Sequence, residues 1–313
     1  MTADGYFCCH IFIGEKMIKT IKKYKAPYLF ILPFFILFLV FQLIPTVWTF
    51  YISLTKWRGI GAPEFVGLDN FIYAFGDPYI ITVILNTLII SVLGLLGLPL
   101  AGMIAILLSE VRGKKFKKTV QTAITIPNFI SWIIIYSIMF SLFSNDGLLT
   151  TLFRGLSGNR DSTVTLLTNP GSAKLFMVMT NIWKTVGYNS IIFFAAVTGI
   201  DSQLYDAAAV DGAGRWQKIV HITIPGILPT FITLLIISVG AILNNGFEQY
   251  YVFVNPMIQK NIEVLDYYVY RIGMLNNDIP ASTAVSMIKT FISVILVFSV
   301  NKLSKRALGQ SIL

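Results

Sequence analysis

Long uncharged runs dominate the hydrophobic pattern of this chain. Most of them exceed the roughly 20 apolar residues that cross a bilayer. Two runs are interrupted by one lysine each, Lys184 and Lys289. The pattern predicts six membrane-spanning helices, at about residues 26–54, 78–109, 119–144, 175–200, 226–247 and 281–303.

The composition supports a membrane protein. Of the 313 residues, 55% are hydrophobic and 12% are charged, whereas a soluble domain carries about 25% charged residues. The mean hydropathy is +0.73. We therefore predict an all-α polytopic membrane protein. It would have a tail at 1–25, a six-span domain at 26–304 and a second tail at 305–313.

The net charge of +9 indicates an orientation because of where the basic residues lie. Lys and Arg are concentrated before the first span, in the turn EVRGKKFKK, within residues 201–225 and after the sixth span. The connecting segments that lie between these regions on the other side of the membrane hold fewer Lys and Arg residues. The positive-inside rule then places both termini and residues 201–225 in the cytoplasm. This placement explains the basic balance without a nucleic-acid partner.

Residue types that carry catalysis or bind metals are sparse. Cys8 and Cys9, even with the adjacent His10, are too few ligands for a structural zinc site. His221 is isolated, and no G-x-x-x-x-G-K-[ST] phosphate loop occurs. The residues before Met17 are either a short tail or the result of a translation start assigned upstream of Met17. We expect no enzymatic activity and no metal in this chain.

The segment YDAAAVDGAGRWQKIVHITIP, residues 205–225, is polar and small between two apolar runs. Its first part predicts a short helix on which Ala207, Ala208 and Asp211 share a face suited to close contact with another protein. Gly212 and Gly214 would then allow a sharp turn. The alternative is an ordinary amphipathic loop.

The spacing D-A-A-x-x-D-G-x9-I-x-I-P resembles the EAA loop of permease subunits of binding-protein-dependent ABC importers. Asp206 stands where the family has glutamate and Ile224 where it has leucine. The runs PYLFILPFFILFLVFQLIPTVWTFYISLTKW, VGLDNF and NTLIIS resemble carbohydrate-importer permeases of the maltose-transporter type. GFEQYYVFVNP and DYYVYRIG resemble the branch that imports oligo- and polysaccharide fragments. The resemblance implies the six-helix type I importer permease fold.

In that family the EAA loop is a coupling helix that docks in a groove of a separate ATPase subunit. The resemblance implies that Asp206 pairs with a basic ATPase residue, Gly212 makes the turn, and Arg215 and Lys218 contact the rim. The residues assigned to coupling are Asp206, Ala207, Ala208, Ala209, Asp211, Gly212, Arg215, Ile222 and Pro225.

The implied partners are a second homologous permease, two copies of the ATPase subunit, an extracytoplasmic solute-binding protein, membrane lipid and a saccharide. ATP and magnesium would be bound by the ATPase subunits and no cofactor by this chain. The location would be the bacterial cytoplasmic membrane.

Polar groups at membrane depth are costly and mark either a solute path or contacts between helices. Counting from the EAA loop, the sugar-contacting positions of the maltose-type permease include Lys184, Thr185, Tyr188, Ser238 and Asn245. The predicted substrate path is Lys184, Tyr188, Ser238, Asn244, Asn245 and Glu248. The Lys184 ammonium would pair with Glu248 or a substrate carboxylate, or else extend toward an interface.

Two function classes remain open from the sequence. The first is the membrane subunit of an ATP-driven sugar importer. The second is a stand-alone secondary transporter, which would favour an inverted repeat and carboxylates inside the spans; neither is evident in the sequence.

Overall fold

The computed structural model describes residues 24–57, 59–157 and 166–308. The first 23 residues, with Cys8, Cys9, His10 and Met17, lie outside the described part, as do the last residues of the predicted C-terminal tail.

The first apolar run forms two helices in line, α1 (Lys25–Phe38) and α2 (Ile44–Ser53), joined by a π-helical turn at Leu39–Leu43. Pro45 is the second residue after this turn. Because proline lacks an N–H and its ring clashes with the carbonyl four residues back, the wider π turn accommodates it.

A short hairpin and helix follow the first span. Strands β1 (Thr55–Lys56) and β2 (Glu64–Phe65) pair antiparallel, with Thr55 opposite Phe65. Helix α3 (Asp69–Gly76) begins just after β2. The Asn70 amide donates to the carbonyls of Ser53 (2.9 Å) and Thr55 (2.8 Å), which ties α3 to the end of α2.

The second and third apolar runs form four helices: α4 (Pro78–Gly94), α5 (Gly97–Glu110), α6 (Lys114–Phe129) and α7 (Trp132–Phe143). The third predicted span is therefore not continuous. It is interrupted at Ile130 and Ser131, both in extended conformation, and the Ser131 hydroxyl caps α7.

Helices α8 (Leu148–Ser157) and α9 (Pro170–Thr198) follow. Helix α9 is central and packs against α4, α5 and α6. Its Gly187 allows the closest approach, since a Cβ there would lie 1.9 Å from the carbonyl oxygen of Ile124 in α6. Ala101, Ala105 and Phe193 fill the contact between α5 and α9.

Residues 201–225 contain α10 (Ser202–Val210) and α11 (Arg215–Lys218). A second π turn, Ile219–Thr223, leads into α12 (Ile224–Gly240), and again a proline, Pro225, is the second residue after the turn. The predicted fifth span, 226–247, is too long at its far end. The helix stops at Gly240, and a turn over residues 241–246 follows.

The last part of the chain holds α13 (Phe247–Phe253), α14 (Gln259–Ile262), α15 (Leu265–Tyr270), a π turn at Arg271–Leu275 and the long α16 (Ile279–Leu308). Buried Tyr250, Phe253 and Ile262 join α13 and α14 to the core around α9.

Five segments of the described chain are long and apolar enough to cross a membrane: Lys25–Ser53, Pro78–Glu110, Trp132–Leu156, Arg215–Gly240 and Ile279–Arg306. The fourth predicted span, 175–200, corresponds to α9, which is not among the five because of its more polar composition. Its 29 residues extend about 43 Å, more than the roughly 30 Å of a hydrocarbon core.

Candidate transport site and coupling loop

Residues 201–225, the coupling loop, form a helix–turn–helix. The Asp201 carboxylate accepts from the Gln203 N–H (2.9 Å) and caps α10. At the other end the Ala213 N–H donates to the Ala208 carbonyl (2.8 Å), and Gly212 has φ +76°. This is a Schellman ending, which favours glycine at the left-handed position. Gly214 has ordinary backbone angles, so only the first glycine is needed for the turn.

Arg215 of the coupling loop is bound within the chain. Its guanidinium forms an ion pair with Glu110 at the end of α5 (2.9 Å) and also donates to the Glu110 carbonyl (3.3 Å). The Arg215 side chain is still 71% exposed, and its rim contact with a partner stays a prediction. The Tyr205 hydroxyl lies 3.0 Å from that of Thr223, which joins the two halves of the loop.

The other coupling residues lie at or near the surface. Ala207, Ala209, Asp211 and Pro225 are exposed, and Ala208 and Ile222 are half-buried. The exposed Asp206 forms no hydrogen bond or ion pair within the described part of the chain. Large apolar side chains are exposed on the same loop, with Val210 89% and Trp216 74% accessible.

An inner cavity of about 230 Å³ lies between α4, α5, α9 and the far end of α12. Three predicted path residues, Ser238, Asn244 and Asn245, line it. The lining also includes three polar residues of α9 at four-residue spacing, which places them on one helix face: Asn181, Thr185 and Asn189. Ser91 of α4 completes the polar lining.

Four polar side chains in the inner cavity remain available to a solute. Within the described residues, the side chains of Asn181, Asn189, Ser238 and Asn244 form no hydrogen bond. Amides and hydroxyls both donate and accept. The cavity therefore presents neutral hydrogen-bonding groups and no charged side chain.

Asn245 has a structural role in its present position. Its amide donates to the Thr87 carbonyl (3.1 Å), and its oxygen accepts from the Ser91 hydroxyl (2.6 Å). The Asn245 N–H donates to the Asp266 carboxylate (2.9 Å). These bonds fix the turn after α12 against α4.

Asp266 also pairs with Lys289, the lysine that interrupts the last apolar run. Lys289 of α16 forms an ion pair with the Asp266 carboxylate, which also accepts from the Gly246 N–H (3.2 Å). Because an unpaired charge at membrane depth is costly, this pairing explains how α16 carries a lysine.

Lys184 is buried and binds backbone, not the predicted carboxylate. Its ammonium donates to the carbonyls of Asn128 (3.0 Å), Pro127 (3.3 Å) and Ile130 at the end of α6. A cation at a helix C-terminus interacts favourably with the unpaired carbonyls and the helix dipole. The ammonium also lies 5.2 Å from the Trp132 ring centroid. No ion pair joins Lys184 to Glu248 in the described structure.

We expect Lys184→Met to lower the amount of folded protein in the membrane and to reduce the uptake of all solutes equally. The substitution keeps the length of the side chain but removes the donor from the half-buried carbonyls of Asn128 and Ile130, at a cost of about 1–3 kcal/mol for each unpaired group. The Pro127 carbonyl still accepts from the Ile130 N–H (3.2 Å). Membrane yield and uptake of neutral and acidic saccharides test this. Loss confined to acidic saccharides, at normal yield, would show instead that the ammonium selects solutes.

Tyr188 and Glu248 are exposed and lie outside the lining of the inner cavity. Conversely, Thr185, which the resemblance gave as a sugar-contacting position but the predicted path left out, lines the cavity, as does Ser91, which was not predicted at all. The four-residue spacing of Asn181, Thr185 and Asn189 was visible in the sequence, whereas nothing local distinguishes Ser91.

A buried ion pair braces the opposite end of the molecule from the coupling loop. The fully buried Glu263 carboxylate binds Arg271 (2.7 Å) and accepts from the Tyr79 hydroxyl (2.6 Å). Burial acts to lower the pKa of Arg271, but the hydrogen bond and the charge of Glu263 outweigh it and raise this pKa. Burial and the charge of Asp77 raise the pKa of Tyr268 to about 12.

The chain is similar to known transport proteins over nearly its whole length. It is 35% identical to Protein LplB of Bacillus subtilis (strain 168) over 94% of this chain and 92% of that protein. It is 38% identical to the polygalacturonan/rhamnogalacturonan transport system permease protein YteP of the same organism, over 95% and 94%. A chain of the crystal structure of a bacterial alginate ABC transporter, in complex with an alginate pentasaccharide-bound periplasmic protein, superposes with TM-score 0.85. The transporter chain is 32% identical to this protein, and the superposition covers 94% of this protein and 99% of the transporter chain.

Residues 97–309 match the family model described as binding-protein-dependent transport system inner membrane component. This match includes the coupling loop and three of the four helices that line the inner cavity, α5, α9 and α12. It agrees with the first of the two function classes left open by the sequence. The protein is thus a multi-pass membrane transport subunit with the type I ABC importer permease fold, and it belongs to the family of binding-protein-dependent transport system inner membrane components.

Proposed function

We propose that this chain forms half of the translocation path of an ATP-driven saccharide importer in the bacterial cytoplasmic membrane. The observation that carries the proposal is the inner cavity, whose free groups are neutral amides and a hydroxyl. Such groups can pair with the hydroxyls of a sugar. The similarity to a polygalacturonan/rhamnogalacturonan permease and to a chain of an alginate transporter supports an oligo- or polysaccharide fragment as the solute.

Coupling to ATP would occur through the coupling loop. In this proposal Asp206 and the exposed alanines dock in a groove of a separate ATPase subunit, which binds ATP and magnesium. Glu110 and Arg215 would transmit the movement, because their ion pair ties the loop to α5, and α5 packs along α9 beside the inner cavity. Alternating access then follows from two arrangements of the spans, biased by the nucleotide.

The remaining partners would be a second, similar permease, a second ATPase copy and an extracytoplasmic solute-binding protein. The first span supports a further membrane partner or extensive lipid contact, since none of the residues in its most apolar window is buried within this chain.

Filling the inner cavity tests its role directly. We expect Ser238→Leu to reduce saccharide uptake at least tenfold at normal membrane yield, because leucine adds volume and removes a hydroxyl from a cavity of about 230 Å³. Ile237→Leu, at the exposed neighbouring position on the same helix, is the matched control and should transport normally. Unchanged uptake by Ser238→Leu would place the path elsewhere.

The orientation can be tested by labelling single cysteines from outside the cell, after Cys8 and Cys9 are changed to serine. We expect an impermeant maleimide to modify cysteines at Gly61 and Asn276 and to leave those at Gly113 and Gly214 unmodified, because the basic segments are predicted to face the cytoplasm. Labelling of the cysteine at position 214 in sealed cells would contradict the proposed orientation.

A further inference from the structure

A second, larger hollow lies on the face of the molecule opposite the coupling loop. Helices α4 and α5 together run from Pro78 to Glu110. Their Glu110 end binds Arg215 of the coupling loop, so the segments before Pro78 lie at the opposite end. There β1, α3 and the start of α16 enclose a cavity of about 830 Å³, and a second cavity of about 570 Å³ adjoins it. Both are lined by Tyr73, Asn276 and Asp278, and together we name them the outer groove.

The size of the outer groove fits an oligosaccharide. Small-molecule sites usually measure about 300–1,000 Å³, so the larger cavity alone falls in this range. The inner cavity, at about 230 Å³, falls below it. A solute of several sugar units therefore fits in the outer groove and not in the inner cavity of this chain.

The walls of the outer groove are held by hydrogen bonds of their own. The Trp57 indole N–H donates to the Gly61 carbonyl (3.0 Å), and Asn70 is bound to the carbonyls of Ser53 and Thr55. Asn277 has φ +55°, a left-handed conformation that asparagine tolerates better than most residues. The groove is therefore shaped before any solute enters.

The side chains that line the outer groove are suited to bind a hydroxyl-rich solute. Within the described residues, the side chains of Asn276, Asn277, Asp69 and Lys56 and the Tyr73 hydroxyl form no hydrogen bond. The Tyr73 ring is 71% exposed and offers a flat face against which the apolar face of a sugar ring can pack. The charges are mixed, with one lysine against two aspartates in the larger cavity, which disfavours selection by net charge.

We propose that the outer groove is a second saccharide-binding site, which holds several units of the chain by hydroxyl contacts to Asn276, Asn277 and Asp69 and by packing on Tyr73. The inference rests on the proposed function, and it adds a site on the extracytoplasmic face of the permease itself. A saccharide released there would be retained close to the membrane before its leading unit enters the path.

The test is calorimetric titration of the intact complex in nanodiscs, without the solute-binding protein, with hexagalacturonate and xylohexaose. We expect binding of at least one of them, weakened about fivefold or more by Tyr73→Ala and by Asn276→Ala, since aromatic packing and one hydrogen bond are each worth about 1 kcal/mol. Tyr73→Phe keeps the ring and should bind nearly normally. Phe65→Ala, an exposed aromatic of β2 outside the groove lining, is the matched control and should bind as the wild type does.

Absence of binding, or equal binding by wild type, Tyr73→Ala and Asn276→Ala, would overturn the outer groove as a saccharide site. It would also be overturned if these variants lost only their association with the solute-binding protein in co-sedimentation, which would make the groove a protein-docking surface. ATP-dependent saccharide uptake by the wild type is measured in parallel. Uptake with unaffected groove variants contradicts only the second site, whereas no saccharide uptake by the wild type contradicts the proposed function.

Discussion

Asp206→Lys should abolish ATP-dependent uptake while the protein reaches the membrane in normal amounts. Asp206 is exposed on α10 and has no partner within the described residues, so its replacement should change the stability of the isolated chain by about 0.5 kcal/mol or less. If it faces a basic residue of the ATPase, a lysine would oppose a like charge, which costs several kcal/mol. Each 1.4 kcal/mol is a factor of ten in binding, so coupling should fall by more than a hundredfold.

Two further variants isolate the cause. Asp206→Asn keeps the shape of the side chain and removes its charge, so it should lose activity only in part. Glu64→Lys makes the same change of charge at an exposed site on the opposite face of the molecule and should leave ATP hydrolysis by the assembled complex unchanged. If Asp206→Lys retains both uptake and stimulated ATP hydrolysis, this face of α10 is not the coupling surface.

Gly187→Val should remove most of the folded protein from the membrane. Even an alanine Cβ at this position would lie 1.9 Å from the carbonyl oxygen and 2.4 Å from the carbonyl carbon of Ile124. These are backbone atoms of α6, so relief requires the two helices to separate. Separation would also draw the Lys184 ammonium away from the carbonyls of Asn128 and Ile130. Overpacking in a tight core typically costs about 1–3 kcal/mol, and occasionally more.

The matched control for Gly187 is Gly102→Ala in α5. A Cβ at Gly102 would lie 3.9 Å from the Phe193 ring, which is an ordinary contact, so yield and thermal stability in detergent should stay near the wild type. We expect Gly187→Ala to fall between this control and Gly187→Val. Wild-type yield and melting temperature for Gly187→Val would mean that α6 and α9 are not packed as described.

The sequence predicted those features that depend on local pattern. Apolar runs identified the helical segments, and the Asp206–Gly212 spacing identified a helix that ends at a glycine turn. Both depend on hydrogen bonds and dihedral angles within a few residues. The break after Gly240 was missed, because the N–H groups of Asn245 and Gly246 in this turn bind Asp266, which lies 21 and 20 residues further along the chain.

Partners of charged groups were the least predictable part of the site. Lys184 binds carbonyls of a helix end some 55 residues earlier in the chain, and Arg215 binds Glu110. Carbonyl groups occur at every residue, so composition gives no signal for the ones left unpaired. Ser238, Asn244 and Asn245 line the inner cavity, whereas Tyr188 and Glu248 do not, because the rotation of each helix is set by packing and not by its own sequence.

The most direct test of the proposed transport function is saccharide accumulation in proteoliposomes that contain this chain, its partner permease, the ATPase and the solute-binding protein. ATP is supplied on the side of the vesicle membrane on which the ATPase subunits lie. We expect an oligosaccharide to accumulate against its gradient. This accumulation should require both ATP and the binding protein, and it should be lost in Asp206→Lys. Accumulation without ATP, or unaffected by Asp206→Lys, would contradict the proposed function.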